Sequence, residues 1–128
     1  MRSKEKALLV AELAKAKKAE DIIILDIRKL SNITDFFIIA GSSSTRRAQT
    51  IADNIEKGLL KRKEHLSGIE GYTEAKWILI DASDVVAHIF HSEIRPFYDL
   101  EGLWGDAHRI RLCQKKRKKL SKKTLKQK

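Results

Sequence analysis

The stretch KWILIDASDVVAHIF, residues 76–90, predicts a β-hairpin that forms one half of a sheet. Two runs rich in isoleucine and valine, 76–81 and 84–90, are typical of strands, and the polar residues between them are typical of a tight turn. A turn centred between Ala82 and Ser83 would set the register of the pairing. We therefore expect three cross-strand pairs: Trp77 with His88, Leu79 with Val86, and Asp81 with Asp84.

Because side chains alternate along a strand, this hairpin has two different faces. One face is aliphatic and is the expected packing surface for helices; it carries Ile78, Ile80, Val85, Ala87 and Ile89. The other face is amphipathic, with an indole, an imidazole and carboxylates, and we predict that it binds a partner through Trp77, Leu79, Asp84 and His88. Taken singly, a tryptophan or a histidine in a strand is more often a core residue. The interaction surface is favoured because aromatic residues, which often dominate the energy of interfaces, recur downstream with a leucine: Tyr98, Leu103 and Trp104.

Outward from the hairpin, the chain alternates between helical and strand patterns. Apolar residues at helical spacing predict two helices, and isoleucine-rich runs predict two buried strands. The order αββαββα predicts an α/β protein with a mixed sheet flanked by helices. The further segments are helices at 3–18 and 45–63, strands at 21–27 and 35–40, a short helix containing Tyr98 to Trp104, and a brief last strand at 109–112.

The net charge of +10 over 128 residues is concentrated in a basic C-terminal tail. From Arg109 onward there are eleven Lys and Arg and no Asp or Glu, which leaves sixteen basic and seventeen acidic residues, a net of −1, in 1–108. We therefore predict one folded domain over 1–112 and a disordered tail over 113–128. One hypothesis is that the tail contacts RNA; the alternative is that it only solubilises the protein. The tail cations concerned are Lys115, Lys116, Arg117, Lys118 and Lys119.

Several classes of protein are disfavoured by the composition. The single cysteine, Cys113, excludes an intramolecular disulfide and a cysteine-based zinc site. No apolar run approaches the length of a membrane span, and the amino terminus does not resemble a secretory signal. We therefore expect a cytoplasmic protein that does not enter a membrane.

The candidate catalytic motifs are weak. The loop Gly41–Thr45 follows a strand and precedes a helix, which suits a phosphate site, but it lacks the lysine and second glycine of a P-loop. A helix cap at Thr45 explains the same residues without a ligand. The pair Asp81 and Asp84 has the spacing of turn residues, and the four histidines show no metal-ligand spacing. We therefore expect no enzymatic activity, no metal and no cofactor.

Three segments, in this order and spacing, closely resemble the ribosomal silencing factor family, also called the Iojap-related proteins. They are AEDIIILDIRKLSNITDFFIIAGSSSTRRAQTIADNI, GIEGYTEAKWILIDASDVVAHIF and FYDLEGLWGDA, and together they run from about Ala19 to Ala107. The resemblance implies a fold related to nucleotidyltransferases without their activity. It also implies a cytosolic factor that binds the large ribosomal subunit through its protein fourteen and blocks joining of the small subunit, which lowers translation. Organellar relatives act in large-subunit assembly, and free family members are commonly dimers.

The family motifs transfer to particular positions. The strand tryptophan and strand histidine of the family match Trp77 and His88, and its turn matches Ser83-Asp84. Active nucleotidyltransferases have a glycine-serine loop and then a strand with paired aspartates. In this sequence Gly41-Ser42 is present, but no Asp-x-Asp strand follows it. The basic tail is a departure from the family pattern. The closing motif of the family matches Tyr98, Asp99, Leu100, Glu101, Leu103 and Trp104, and its S-x-x-[TS]-D stretch matches Ser31, Thr34 and Asp35.

Three alternatives to silencing remain open at this point. A role in assembly of the large subunit would use the same contact. A general RNA-binding module is suggested only by the tail. A nucleotidyltransferase enzyme is disfavoured by the missing metal carboxylates.

Overall fold

The computed structural model describes residues 1–93 and 107–110. Within them the chain forms two helices and six strands, and the predicted short helix at 98–104 and the tail lie outside the described residues. In chain order the elements are α1 (Ser3–Ala16), β1 (Glu20–Asp26), β2 (Phe36–Ser42), α2 (Thr45–Lys61), β3 (Gly68–Glu70), β4 (Trp77–Asp81), β5 (Val85–His91) and β6 (His108–Ile110).

The strands form one mixed sheet in the order β3-β4-β5-β2-β1-β6. The central pair, β2 and β5, is parallel, and every other neighbouring pair is antiparallel. A parallel pair needs a crossover, and the segment that contains α2, β3 and β4 provides it. The predicted α/β fold with a mixed sheet is therefore confirmed.

Both described helices pack on the same face of the sheet. The predicted aliphatic face of the hairpin is buried there, with Ile78, Ile80, Val85, Ala87 and Ile89 each no more than 2% exposed. Helix α1 contributes small residues to this core, which lets it approach the sheet closely, and α2 contributes a stripe at helical spacing. These helix residues are Ala7, Val10, Ala11 and Ala14 of α1, and Ala48, Ile51, Ala52, Ile55 and Leu59 of α2.

The predicted register of the β4–β5 hairpin is wrong by two residues. Trp77 pairs with Phe90, Leu79 with His88, and Asp81 with Val86. The central residues of the turn are Ser83 and Asp84, closed by a hydrogen bond from the Ala82 N–H to the Val85 carbonyl oxygen at 2.9 Å. Ser83 has a φ of 71°, the left-handed backbone that hairpin turns require at this position. Because the shift is an even number, Trp77, Leu79 and His88 still share one face.

Two further predictions need correction, and both concern connections. The cap of α2 is Ser44 rather than Thr45, since the Ser44 Oγ accepts the Arg47 N–H at 3.0 Å. Strand β3 lies between the helix predicted at 45–63 and the hairpin, where no strand was predicted, and it pairs with β4 at the edge of the sheet. A three-residue strand containing a glycine carries too little alternation to be recognised from its sequence.

Candidate functional site: the open face of the sheet

The face of the sheet opposite the helices carries an aromatic cluster. We call this face the open face, because no described helix packs on it; its hairpin residues are Trp77, Leu79, Val86, His88 and Phe90. Strand β2 extends the cluster with Phe37, whose ring meets the His88 ring edge-on at a centroid distance of 4.9 Å. Beyond it lies a second, smaller core formed by Leu25, Ile27, Ile39 and Phe90, with Ile23, Phe37 and Ala107 packed against it.

Two neighbouring side chains hold Trp77 in place at the end of this face where β4 begins. Its indole stacks on Phe90 at a centroid distance of 5.1 Å, and its Nε1–H donates a hydrogen bond to His88 Nδ1 at 3.1 Å. The residue is nevertheless 36% exposed, which is unusual for so large an apolar side chain. A rigid aromatic side chain that is fixed before binding loses little conformational entropy when a partner covers it.

His88 lies beneath Trp77 and accepts its indole N–H. It is only 5% exposed, and burial lowers its pKa to about 4, so the imidazole is neutral at physiological pH. Because Nδ1 accepts the indole N–H, the proton of the neutral ring resides on Nε2. In the part of the chain that the structure describes, this buried Nε2 has no hydrogen-bond partner.

A groove of about 610 Å³ adjoins Trp77, between the β3–β4 connection and the edge of the sheet. Gly71 in this connection has a φ of +79°, and a Cβ atom there would lie 2.2 Å from the Trp77 carbonyl oxygen, so only glycine fits. Tyr72 beside it is 38% exposed. The residues that line the groove are Ile69, Gly71, Tyr72, Thr73, Glu74, Lys76 and Trp77.

Carboxylates of α2 border this groove, whose own lining carries one acid, Glu74, and one base, Lys76. The Tyr72 hydroxyl donates to the Asp53 carboxylate at 3.2 Å, and this hydrogen bond raises the pKa of Tyr72 above its ordinary value. Glu56 acts on the same hydroxyl through its charge, and Glu74 lines the groove itself. Exposed aromatic rings among carboxylates suit a partner with basic side chains, which are attracted by the charge and can lie on the rings.

The structure brings together three of the predicted partner-binding residues, namely Trp77, Leu79 and His88. The prediction that Asp84 shares their face is wrong, because the turn directs its carboxylate to Lys6 Nζ of α1 at 2.8 Å, on the helix side. Four predicted residues and the tail cations lie outside the described residues; the four are Tyr98, Leu100, Leu103 and Trp104.

Three aromatic residues of the site were missed by the sequence reasoning: Phe37, Tyr72 and Phe90. A pairing register shifted by two residues would have placed Phe90 opposite Trp77, so Phe90 could have been identified from the sequence. The alternation of β2 could have placed Phe37 on one face of that strand. It could not show that β2 pairs with β5, because β5 is distant in the sequence. Tyr72 follows the unrecognised strand β3, and its sequence offers no signal.

The loop Gly41–Thr45 uses its polar groups internally. Besides the Ser44 cap, the Ser42 hydroxyl donates to the Ser44 carbonyl oxygen at 2.5 Å and accepts the Ser44 N–H at 3.3 Å. Ser42 is fully buried. The interpretation of this loop as a helix cap, rather than a phosphate site, agrees with these contacts.

The described part of the chain has neither a cluster of metal-binding side chains nor a helix that could span a membrane. Residues 1–93 and 107–110 hold no group of three or more His, Cys, Asp or Glu side chains placed to bind a metal ion. Within the same ranges, no helix combines the length and the apolar character that crossing a membrane requires.

These features define an α/β protein with a mixed sheet, one face of which carries an aromatic cluster. The chain belongs to the family described as "Ribosomal silencing factor during starvation", whose sequence profile matches residues 1–128. It is 38% identical over 112 residues to the ribosomal silencing factor RsfS of Halalkalibacterium halodurans, covering 88% of this chain and 96% of that protein. A crystal structure of a Chromobacterium violaceum protein superposes with a TM-score of 0.80 at 34% identity, covering 82% of this chain and 88% of that one.

A more distant relative has a name that describes assembly. The mouse protein called "Mitochondrial assembly of ribosomal large subunit protein 1" is 28% identical over 99 residues, which cover 75% of this chain and 43% of the mouse protein. The names of these relatives describe regulatory or assembly factors rather than enzymes. The resemblance stated from the sequence is therefore confirmed at the level of the family.

Proposed function

We propose that this protein is a cytoplasmic silencing factor, not an enzyme, that binds the large ribosomal subunit through its protein fourteen. Bound there, it blocks joining of the small subunit and so represses translation. The observation that carries this proposal is the position of Trp77, which is partly exposed and held rigidly beside a groove bordered by carboxylates.

The carboxylates around the groove beside Trp77, namely Asp53, Glu56 and Glu74, support a basic protein as the partner. Ribosomal proteins are generally basic because they neutralise RNA, and such carboxylates speed the encounter with a basic surface. Trp77 would act as the central anchor, with Leu79 beside it and His88 holding the indole. We include the closing motif in the proposed surface: Tyr98, Leu100, Leu103 and Trp104.

Replacing Trp77 with alanine is expected to weaken binding to large subunits by about 2 kcal/mol, roughly thirtyfold. The reason is the loss of a preformed aromatic anchor at the centre of the surface. Purified protein is mixed with large subunits, small subunits are added, and joining is followed by sucrose-gradient sedimentation. The native protein shifts the profile toward separate subunits, and Trp77→Ala does not.

Two controls separate this effect from a loss of folding. Ile33 is 89% exposed in the β1–β2 connection, so Ile33→Ser removes an exposed apolar side chain away from the open face and should bind normally. Trp77→Phe keeps a ring and loses only the N–H bonded to His88, so it should retain most of the affinity. A folded Trp77→Ala protein with undiminished affinity would refute the role of Trp77.

A role in large-subunit assembly is the second candidate, and the name of the mouse relative favours it. It predicts that the protein sediments with the large subunit while joining remains unchanged. Absence of sedimentation with the large subunit would contradict both candidates. The same gradients, run without ribosomes, test our further proposal that the free protein is a homodimer.

For the tail, we propose contact with ribosomal RNA by Lys115, Lys116, Arg117, Lys118 and Lys119. Deleting 113–128 is then expected to reduce the salt dependence of binding to large subunits. Each lost phosphate contact lowers the slope of log K against log salt by roughly 0.7–0.9. Affinity is measured at several salt concentrations, and an unchanged slope would indicate a tail that only solubilises.

A further inference from the structure

The near-neutral body of this protein is divided into two layers of opposite charge. We define the helix layer as residues 1–19 and 43–67, and the sheet layer as residues 20–42 and 68–93. The helix layer holds twelve Lys and Arg against five Asp and Glu, a net of +7. The sheet layer holds three against nine, a net of −6. The helix layer is thus strongly basic as a whole, while its Asp53 and Glu56 border the groove beside Trp77.

Part of this positive charge gathers at one end of the helix layer. Helix α1 ends at Ala16 just before β1, and α2 begins at Thr45 just after β2. The two strands are neighbours, with Glu20 opposite Gly41, so the two helix ends lie at the same end of the sheet. We call this region the basic end; its cations are Lys15, Lys17, Lys18, Arg46 and Arg47.

The packing of the two helices brings the start of α2 near the end of α1. The Asn54 side chain donates to the Leu13 carbonyl oxygen at 2.9 Å, which fixes one point of contact between the helices. Arg47 precedes Asn54 by seven residues, two turns of helix, and therefore lies on the same stripe of α2. At Arg47 this stripe has passed the end of α1 at Ala16. Lys17 and Lys18 directly follow that end in the chain.

The cations of the basic end are accessible. Lys17, Lys18 and Arg46 are exposed, and Lys15 and Arg47 are half-buried. The ion pairs identified among residues 1–93 and 107–110 engage other cations, namely Lys6, Arg28 and the terminal amine. Glu20 and Asp21 lie close by in the sequence and reduce the net charge of this end without cancelling it.

Both helices of the helix layer end at a lysine with a left-handed backbone, Lys18 after α1 and Lys63 after α2. Lys18 has a φ of 65°, and the Ala19 N–H returns to the Ala14 carbonyl oxygen at 3.1 Å, the helix termination in which glycine is common. A lysine is strained in this conformation. The end of α2 repeats the motif at Lys63, with a φ of 60° and the Glu64 N–H bonded to the Leu59 carbonyl oxygen.

The last strand leads toward the same end. In β6, His108 lies opposite Asp26 and Ile110 opposite Ile24, so β6 runs toward the end of the sheet at which β1 begins. The sequence after Ile110 contains ten further Lys and Arg.

We propose that the basic end is an RNA-binding surface that contacts the phosphate backbone, separate from the aromatic open face. Binding there depends on charge rather than on base sequence, because contacts from lysine and arginine to phosphates supply sequence-independent affinity. Of the large exposed apolar residues in the described chain, Met1, Leu30, Ile33 and Leu60 lie elsewhere, whereas Tyr72 borders the basic end, because its carbonyl oxygen accepts a hydrogen bond from the Gln49 side chain of α2 at 2.9 Å. A membrane surface is the less suitable partner, because stable attachment to lipid needs apolar insertion in addition to charge. The proposal does not depend on the contact with protein fourteen.

The test uses the full chain and a short fluorescein-labelled RNA duplex, with affinity measured by anisotropy over a series of salt concentrations. The test variant is Lys17→Gln/Lys18→Gly/Arg46→Gln/Arg47→Gln. The matched control removes the same charge and relieves the same strain at the opposite end of α2: Lys57→Gln/Lys61→Gln/Arg62→Gln/Lys63→Gly. Both variants keep the tail, so its contribution cancels.

We expect the test variant to bind at least about tenfold more weakly at low salt and to lower the salt slope by about 2–3, and the control to change neither appreciably. Equal losses in the two variants, or no loss in the test variant, would overturn the proposal. Binding to vesicles that contain phosphatidylserine is measured as well. If the test variant binds these vesicles more weakly while its affinity for RNA is unchanged, the proposal is overturned and the basic end is identified as a site for an anionic lipid surface instead.

Two single variants test whether a loss of RNA binding could result from unfolding. Lys18→Gly and Lys63→Gly should each raise the urea midpoint, because glycine relieves the strain at both positions. Only Lys18→Gly should weaken RNA binding. Loss of RNA affinity in a protein that has become more stable cannot be attributed to misfolding, and equal RNA affinity in the two glycine variants would refute the role of Lys18.

Discussion

Replacing Lys6 with methionine is expected to lower the free energy of unfolding by about 3 kcal/mol. Lys6 is buried in α1, and its ammonium group donates to the Ala82 carbonyl oxygen at 2.7 Å and to Asp84 Oδ1 at 2.8 Å. Glu64 lies on its other side, with its carboxylate 3.4 Å from Nζ. One side chain thus ties the first helix to the β4–β5 turn and to the segment that follows α2.

The size of this effect follows from the groups that the substitution leaves behind. The Ala82 carbonyl oxygen loses its partner in a buried position, which costs about 1–3 kcal/mol. The two carboxylates lose a compensating charge, but the Asp84 side chain is 38% exposed and recovers some hydration. We therefore expect a value near the lower end of the range for breaking a buried ion pair, about 3–5 kcal/mol.

Urea unfolding at neutral pH measures this effect, and Lys4→Met is the matched control. Lys4 is exposed on the same helix, so its replacement should change the free energy of unfolding by no more than about 0.5 kcal/mol. Equal stability of the Lys6 and Lys4 variants would show that the buried cluster contributes nothing.

The native protein is expected to lose on the order of 3 kcal/mol of stability through His88 alone as the pH falls from 6.5 to about 4. Burial lowers the pKa of His88 to about 4 in the folded chain, whereas the unfolded chain takes up this proton near pH 6.5. Between these values the unfolded state binds more protons than the folded state. The contribution of His88 is therefore fully present above pH 6.5 and is lost as the pH decreases through this window.

The variant His88→Gln isolates this contribution. Glutamine does not titrate, and its side-chain oxygen can accept the Trp77 N–H in place of Nδ1. Carboxylates such as Asp26, whose pKa is lowered by its hydrogen bond with Arg28, destabilise both proteins equally in acid. Urea unfolding at pH 7 and at pH 4.5 should show a smaller decline for the variant, and parallel declines would contradict the assignment.

Local patterns in the sequence were sufficient for most of the fold. The stripe Ala48–Leu59 predicted α2, and the aliphatic runs predicted β1, β2, β4 and β5 to within two residues. These elements satisfy their own periodicity, so each can be recognised without its neighbours. Strand β3 could not be recognised in this way, since three residues gain their conformation from pairing with β4.

The candidate site depended more on tertiary structure. Alternation along the hairpin placed Trp77, Leu79 and His88 on one face, and this placement is confirmed. The assignment of Asp84 to the same face failed because the turn belongs to neither face, and a buried lysine from a helix distant in the sequence attracts its carboxylate.

By itself, the sequence determined the α/β class, the aliphatic and amphipathic faces of the hairpin, and the family, because these depend on periodicity and on the order of motifs. Only the tertiary structure decided the hairpin register, the hydrogen bond from Trp77 to the neutral His88, and the groove bordered by carboxylates beside it. It alone also brought the end of α1 and the start of α2 to one basic end. These features arise where separate elements meet, and the physical reason is that burial and Coulomb interactions depend on distance in space rather than on distance along the chain.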